Sequence, residues 1–194
     1  MSATTSASPI SRHVARGAAG PLIVVLGCAL LLMRLRVLTV PGGARLLLLT
    51  AILASVAAAS LLVPVPADRA RLARWPVLGI GLAGVGTAAL AAGRPVAFPA
   101  TAWTIPLALL AAVAEEALLR RMLYARLAPA GIAVAIAVTA GLFALLHVPL
   151  YGWAAFPVDL GAGLLLSWQR WASGTWTVPA ATHAAANLLA TVLR

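Results

Sequence analysis

The sequence predicts an all-α, polytopic membrane protein, a bundle of about seven (roughly six to eight) transmembrane helices. Hydrophobic residues make up 63% of its 194 residues and charged residues only 9%, a composition far from that of soluble proteins. Several apolar segments approach the roughly 20 residues that a helix needs to cross a bilayer. Only short loops remain between them, so we expect one membrane domain and no soluble domain.

Seven apolar segments are expected to form the spans. The first begins at about Gly17, after a polar and basic segment, residues 1–16, that has the composition of a flexible tail. The other six are Leu46 to Val63, Pro76 to Ala92, Trp103 to Leu127, Ala130 to Leu150, Ala155 to Trp168 and Trp176 to Leu193. Residues 17–194 are therefore expected to form a single membrane-embedded domain. The first apolar run also resembles a signal-peptide core, but no small-residue cleavage site precedes RLRVLTV, which favours an uncleaved span.

Tryptophan positions support this segmentation. All six tryptophans lie at or near a segment end, where their amphipathic rings prefer the headgroup region. The sixth segment, AAFPVDLGAGLLLSW, is short and contains a proline, an aspartate and two glycines. It is therefore the segment most expected to deviate from a full span.

The charge distribution predicts location and orientation. The net charge of +10 reflects 14 basic residues, all of them arginine. These arginines lie singly or in small groups between apolar runs, where they contact lipid headgroups, so nucleic acid is not an expected partner. The N-terminal tail and the segments DRARLAR and RRMLYAR would share one face, which predicts a multi-pass cell-membrane protein with a cytoplasmic N-terminus. The segment RLRVLTVPGGAR is then expected to form a loop on the outer face.

Two of the four acidic residues lie side by side in AEEALLRRML, residues 114–123. An ionised carboxylate near the middle of a bilayer costs at least about 2.5 kcal/mol, so such groups pair with a cation, face water or carry function. Glu116 and Arg120 lie four residues apart on one helix face and are expected to pair. Glu115 lies about 100° around the helix and is expected to remain free for chemistry. Taken alone, the same residues with Arg121 also fit a solvated charge cluster at a helix end.

Two of the three histidines also lie in apolar segments. His147 ends the sequence FALLH, and His183 begins HAAAN, in which Asn187 follows one helical turn later. A single membrane histidine is more often a packing residue than a functional group. Together with the glutamates, however, these residues hold nearly all the polar groups deep in apolar segments, and burying them is unfavourable unless they converge. A carboxylate, two imidazoles and a carboxamide are sufficient for hydrolysis, as a base for water and donors to an oxyanion.

The polar residues also form three recognisable motifs. EEALLR, FALLH and HAAAN, in this order on successive C-terminal segments, resemble the motifs E-E-x-x-x-R, F-x-x-x-H and H-x-x-x-N of the CPBP (Abi) intramembrane proteases. That family includes the type II CAAX prenyl endopeptidases. The resemblance covers residues 103–194, and every motif position matches. Each motif alone is weak evidence, but three in the right order on a polytopic background are specific.

The resemblance implies an intramembrane endopeptidase, with a role for each motif residue. Glu115 and His147 would activate a water molecule, and His183 and Asn187 would stabilise the oxyanion. Three further motif residues would support the site: Glu116, Arg120 and Phe143.

The resemblance also bears on cofactors. A Glu/His/His set is able in principle to bind zinc, but the sequence has no H-E-x-x-H pair, and the resemblance implies a glutamate-activated water with no required metal. No cofactor is therefore expected, and zinc is the less favoured alternative. The single cysteine, Cys28, excludes a disulfide framework or a thiolate metal site.

The expected substrate is a peptide or a membrane protein, with or without a lipid modification. Two other functions remain open from the sequence. One is a non-catalytic membrane scaffold or bacteriocin-immunity-type protein of the same fold, and the other is a proton-coupled transporter, since Glu and His also form proton relays in membrane helices. Against the transporter, the polar residues occupy one half of the chain and no inverted repeat is visible. Proteolysis that depends on Glu115 would distinguish the enzyme from both.

Overall fold

The structure of the protein, a computed structural model, describes residues 9–66, 68–91 and 102–192. Within these residues every regular element is helical. The α-helices are α1 (Pro9–Leu38), α2 (Gly43–Leu62), α3 (Arg74–Ala91), α4 (Thr104–Glu116), α5 (Tyr124–Leu127), α6 (Ile132–Tyr151), α7 (Phe156–Ser173) and α8 (Thr177–Val192). A π-helical segment, Ala117–Leu123, joins α4 to α5 without a break, and short 3-10 turns follow α5 and α6.

The predicted all-α class is confirmed, and each predicted apolar segment coincides with a helix. The fourth segment corresponds to α4, the π-helical segment and α5 together. Three helices are long and apolar enough to cross a membrane: Gly20–Leu38 within α1, Gly43–Leu62 and Ile132–Tyr151. In the described part of the chain the other helices do not combine that length and apolarity, so the expected count of about seven spans is not confirmed.

The first helix is longer than the sequence predicted. It begins at Pro9, inside the segment expected to be a tail, whereas residues 1–8 lie outside the described part of the chain. Its C-terminal end is Leu38, so the expectation that Arg34 lies in an outer loop is wrong. The helix continues because Leu31, Arg34 and Val37 recur on one face and are all buried against the bundle.

Helices α6 and α7 pack closely through small residues. A Cβ atom added at Gly163 of α7 would lie 2.9 Å from both the Cα and the carbonyl oxygen of Ala140 of α6. The hydroxyls of Thr139 and Ser167 join the same two helices at 2.9 Å. Such backbone approach between small residues, with a side-chain hydrogen bond across it, is the usual way in which membrane helices associate.

Helix α8 is tied to α3 and α7 by a buried amide. The Nε2 atom of Gln169 in α7 donates to the carbonyl oxygen of Val77 in α3 and to the hydroxyl of Thr182 in α8, both at 2.9 Å. Because Thr182 directly precedes His183, this contact fixes the helix that carries the third motif.

The close approach of α6 and α7 gives a stability prediction. Gly163→Ala should lower the free energy of unfolding in detergent by about 1 to 3 kcal/mol, because the added methyl group meets backbone atoms that cannot move aside. Gly161→Ala in the same helix is the matched control. A Cβ at Gly161 meets nothing within 4 Å, so this variant should be neutral or gain up to about 1 kcal/mol. Equal stability of the two variants would contradict the packing.

Candidate active site

The two glutamates of the first motif lie at the end of α4, where the chain changes from α-helix to π-helix. Both are buried, with 2% of Glu115 and none of Glu116 exposed. The π-helical segment that follows is held by Arg170 of α7, whose Nε donates to the carbonyl oxygen of Arg120 at 2.9 Å. Arg170 also pairs with Asp68 at 2.7 Å. Single π-helical turns within α-helices are frequent at functional sites.

The predicted ion pair between Glu116 and Arg120 is confirmed. Arg120 Nη1 lies 2.9 Å from Glu116 Oε1, and neither side chain is exposed. The same guanidinium donates from Nη2 to the carbonyl oxygen of Gly163 at 3.1 Å and stacks over the ring of Phe143 at 4.7 Å. The nearby Arg121 turns away from this pair and donates to carbonyl oxygens at the end of α2. The residues therefore do not form a solvated charge cluster.

The expectation that Glu115 has no partner is wrong. Its Oε1 atom forms a buried ion pair with Arg34 of α1, 81 residues earlier in the chain. The other oxygen, Oε2, has no hydrogen-bond partner among the described residues. It lies 3.7 Å from Nε2 of His147. Glu115 is thus neutralised through one oxygen and free at the other.

His147 is held by its own helix. Its Nδ1 atom lies 2.8 Å from the carbonyl oxygen of Phe143, and the two rings contact each other with centroids 4.3 Å apart and planes inclined by 37°. A carbonyl oxygen only accepts, so Nδ1 carries the hydrogen, and in a neutral ring Nε2 is the acceptor. With a neutral ring, two acceptors, Glu115 Oε2 and His147 Nε2, thus face each other at 3.7 Å.

The residues of the third motif, HAAAN, lie next to those of the first two motifs. His183 donates from Nδ1 to Glu116 Oε1 at 3.0 Å and lies edge-on to Phe143, with ring centroids 5.4 Å apart. Asn187 is half-buried, and its Nδ2 donates to the carbonyl oxygen of Ala108 in α4 at 2.9 Å. One of the two amide hydrogens of Asn187 is thus used for contact with a neighbouring helix. All seven residues singled out from the motifs converge on one region.

A cavity of about 410 Å³ lies against this cluster. Its walls are mostly apolar and come from α1, α2, α4, α6 and α8. The polar residues that line it are Arg34, Arg45, Thr104, Glu115, His147, Tyr151, His183, Asn187 and Thr191. Two of these helices, α1 and α2, carry none of the three motifs, so the motifs alone do not reveal their contribution to the cavity.

The donor set does not fit a zinc ion in this arrangement. Among the described residues, no three His, Cys, Asp or Glu side chains lie close enough together to hold a metal. Glu115 is already neutralised at Oε1 by Arg34, and Glu116 engages His183 Nδ1. Zinc needs several donors at about 2.0 to 2.2 Å.

A comparison with known families agrees with the motifs. Residues 96–189 match the family model described as type II CAAX prenyl endopeptidase, Rce1-like. This part of the chain, just under half of its length, is similar to the Rce1-like family. The resemblance drawn from the three motifs is confirmed, and the family is one of peptidases. No curated protein and no solved structure matches the chain.

The Rce1-like match contains every motif residue but not the whole cavity. Helices α1 and α2, which supply Arg34 and one wall, precede the matched residues. A sequence signal for Arg34 did exist, since it follows Leu31 at helical spacing on the face of α1 that becomes buried. Its partner, however, lies too far along the chain for any local pattern to reveal it.

The buried Glu116–Arg120 pair, within the residues that match the Rce1-like model, gives a second stability prediction. Glu116→Gln and Arg120→Met should each cost about 3 to 5 kcal/mol of unfolding free energy, because each leaves an uncompensated buried charge. The double variant should lose less than the sum of the two. Chemical unfolding in detergent measures this coupling, with Arg36→Met, an exposed arginine of α1, as the control. Additive losses would reject the pair.

Proposed function

We propose that this chain is an intramembrane endopeptidase that hydrolyses a peptide bond with a water molecule held between Glu115 and His147. The observation that carries the proposal is the 3.7 Å separation of Glu115 Oε2 and His147 Nε2. Both atoms are acceptors, and a water has two O–H donors. A water placed at about 2.8 Å from each atom donates one hydrogen to each and turns its lone pairs away from them.

The reaction then follows from general base catalysis. The water oxygen attacks the carbonyl carbon of the scissile peptide bond as one of its protons passes to the Glu115–His147 pair. The C–O bond that forms gives a tetrahedral oxyanion. When the C–N bond breaks, the same proton goes to the leaving amine, and the carboxyl product carries the water oxygen. The protein groups are unchanged at the end of the cycle.

His183 and Asn187 are proposed to stabilise the oxyanion. Both line the same cavity as Glu115 and His147. Glu116 accepts from His183 Nδ1, so a protonated His183 would present Nε2–H to the developing charge. Asn187 has one amide hydrogen beyond the one bound by Ala108. Preorganised donors of this kind supply much of the catalysis in acyl-transfer reactions.

Glu116, Arg120 and Phe143 are proposed to hold the catalytic side chains in position. Arg120 neutralises Glu116, which in turn orients His183. Phe143 contacts both histidine rings and supplies the carbonyl oxygen that fixes the tautomer of His147. The site thereby depends on protein groups alone, and we propose that no metal takes part.

The proposed substrate is a peptide or membrane protein segment, with or without a lipid modification. The Rce1-like family acts on membrane-associated, prenylated peptides. The apolar walls of the cavity, which come from α1, α2, α4, α6 and α8, suit an apolar segment of this kind. We place the enzyme in the cell membrane with its N-terminus in the cytoplasm, as the arginine distribution favours.

The water-activating pair is tested by replacing each member. Glu115→Gln and His147→Ala should abolish peptide release while the proteins still insert and purify, because the first removes the carboxylate base and the second removes the imidazole acceptor of the water. Mass spectrometry of peptides released from membranes carrying wild type or variant measures this. Arg36→Gln, an exposed change on α1, is the control. Peptide release at the wild-type level by either site variant would contradict the proposal.

The oxyanion role of Asn187 has a separate kinetic test. Asn187→Ala should lower kcat about 10² to 10³-fold with little change in KM, because the lost donor acts mainly in the transition state. Asn187 also bridges to α4, so the folded fraction and Tm must be measured in parallel. Thr87→Ala is the control, since Thr87 of α3 donates to the carbonyl oxygen four residues earlier but does not line the cavity. Normal turnover by folded Asn187→Ala would remove this residue from the site.

A further inference from the structure

Helix α1 brings a cation into the candidate active site from outside the residues that match the family. Arg34 is 8% exposed, lines the cavity and pairs with Glu115. Its Nη1 atom meets the carboxylate, whereas its Nε atom has no hydrogen-bond partner among the described residues. A buried arginine with this placement belongs to none of the three motifs.

The sequence of α1 explains how Arg34 reaches this position. Gly27, Leu31 and Arg34 follow one another at helical spacing along a single face. A Cβ atom at Gly27 would lie 2.8 Å from the side chain of Leu118 in the π-helical segment, so glycine permits a close approach there. Leu31 packs into the same apolar core as Leu118. The next turn of α1 then places Arg34 beside Glu115.

Charge balance shows why the site needs this residue. Two adjacent carboxylates are buried, and Arg120 is already shared between Glu116 and the carbonyl oxygen of Gly163. Without Arg34, the ionised Glu115 would have no cation bound to it in an apolar surrounding, which is strongly unfavourable. Arg34 therefore keeps a carboxylate ionised where it is needed as a base.

The Arg34–Glu115 pair does more than balance charge, because it also determines which oxygen of Glu115 stays free. Arg34 binds Oε1, and this leaves Oε2 without a partner and 3.7 Å from His147 Nε2. A carboxylate bound at one oxygen cannot rotate freely about its terminal torsion. We propose that Arg34 is a positioning residue of the hydrolytic site, which holds Glu115 so that Oε2 faces the water shared with His147. This inference rests on the proposed function.

The first test measures the pair without any substrate. Arg34→Gln should lower Tm in detergent by several degrees, because it leaves Glu115 buried and unpaired. The double variant Arg34→Gln/Glu115→Gln should recover most of the loss, since both charges are gone. Arg36→Gln, two residues along α1 but exposed, should leave Tm unchanged. Additive losses in the double variant would overturn the pair and with it the proposal.

The second test measures positioning. The probe is a synthetic peptide copied from a segment that wild-type membranes cleave and Glu115→Gln membranes do not. Arg34→Gln should lower kcat about 100-fold, because misplacement of a reacting group by about 1 Å costs roughly that much. KM should change little. Arg34→Lys, which keeps the charge, should recover part of the rate, and a purely structural role would instead lower the folded fraction and leave kcat intact.

The outcomes separate this inference from the function on which it rests. If wild-type and Glu115→Gln membranes release the same peptides, the proposed function fails, and the role of Arg34 in catalysis fails with it. If only wild type cleaves and folded Arg34→Gln cleaves equally fast, the function stands and the positioning role is wrong. Faster cleavage by Arg34→Gln would show that Arg34 restrains Glu115 rather than prepares it, which also overturns the proposal.

Discussion

Two adjacent carboxylates buried in an apolar helical bundle must each be neutralised, and the arrangement of the site depends on this requirement. Arg120 neutralises Glu116 from within the same helical stretch, and Arg34 neutralises Glu115 from α1. Each of these two ion pairs also fixes the position of a neighbouring helix. Arg120 also binds the carbonyl oxygen of Gly163, where α7 packs against α6. For Arg34 to reach Glu115, α1 must lie against the π-helical segment.

The same two ion pairs also position the side chains of the proposed reaction. Since Arg34 takes one oxygen of Glu115, the other remains free, and it faces a histidine whose ring is fixed by the carbonyl oxygen of Phe143. Glu116, neutralised by Arg120, is left to orient His183. A carboxylate acceptor, an imidazole acceptor and two possible donors to an oxyanion therefore meet beside one cavity. Charge neutralisation and the proposed water activation are two consequences of the same contacts.

Local periodicity explains what the sequence could predict. The Glu116–Arg120 pair follows from four-residue spacing on one helix, and the helical segments follow from apolar runs of sufficient length. Local periodicity does not predict contacts between segments that are distant in the chain. Arg34 was assigned to the outer loop RLRVLTVPGGAR, yet a partner 81 residues away lets the helix continue through it. The number of spans was also uncertain, because buried polar residues lower the apolarity of helices such as α7, which carries Asp159 and Arg170.

The central claim is the proposal that Glu115 and His147 activate water without a metal, with Arg34 neutralising Glu115 at its other oxygen. The most direct measurement is the rate of peptide cleavage by purified protein after exhaustive chelation, with the metal content of the same sample determined by elemental analysis. We expect full activity with far less than one equivalent of zinc per chain. Activity that is lost on chelation and restored by stoichiometric zinc would contradict the claim.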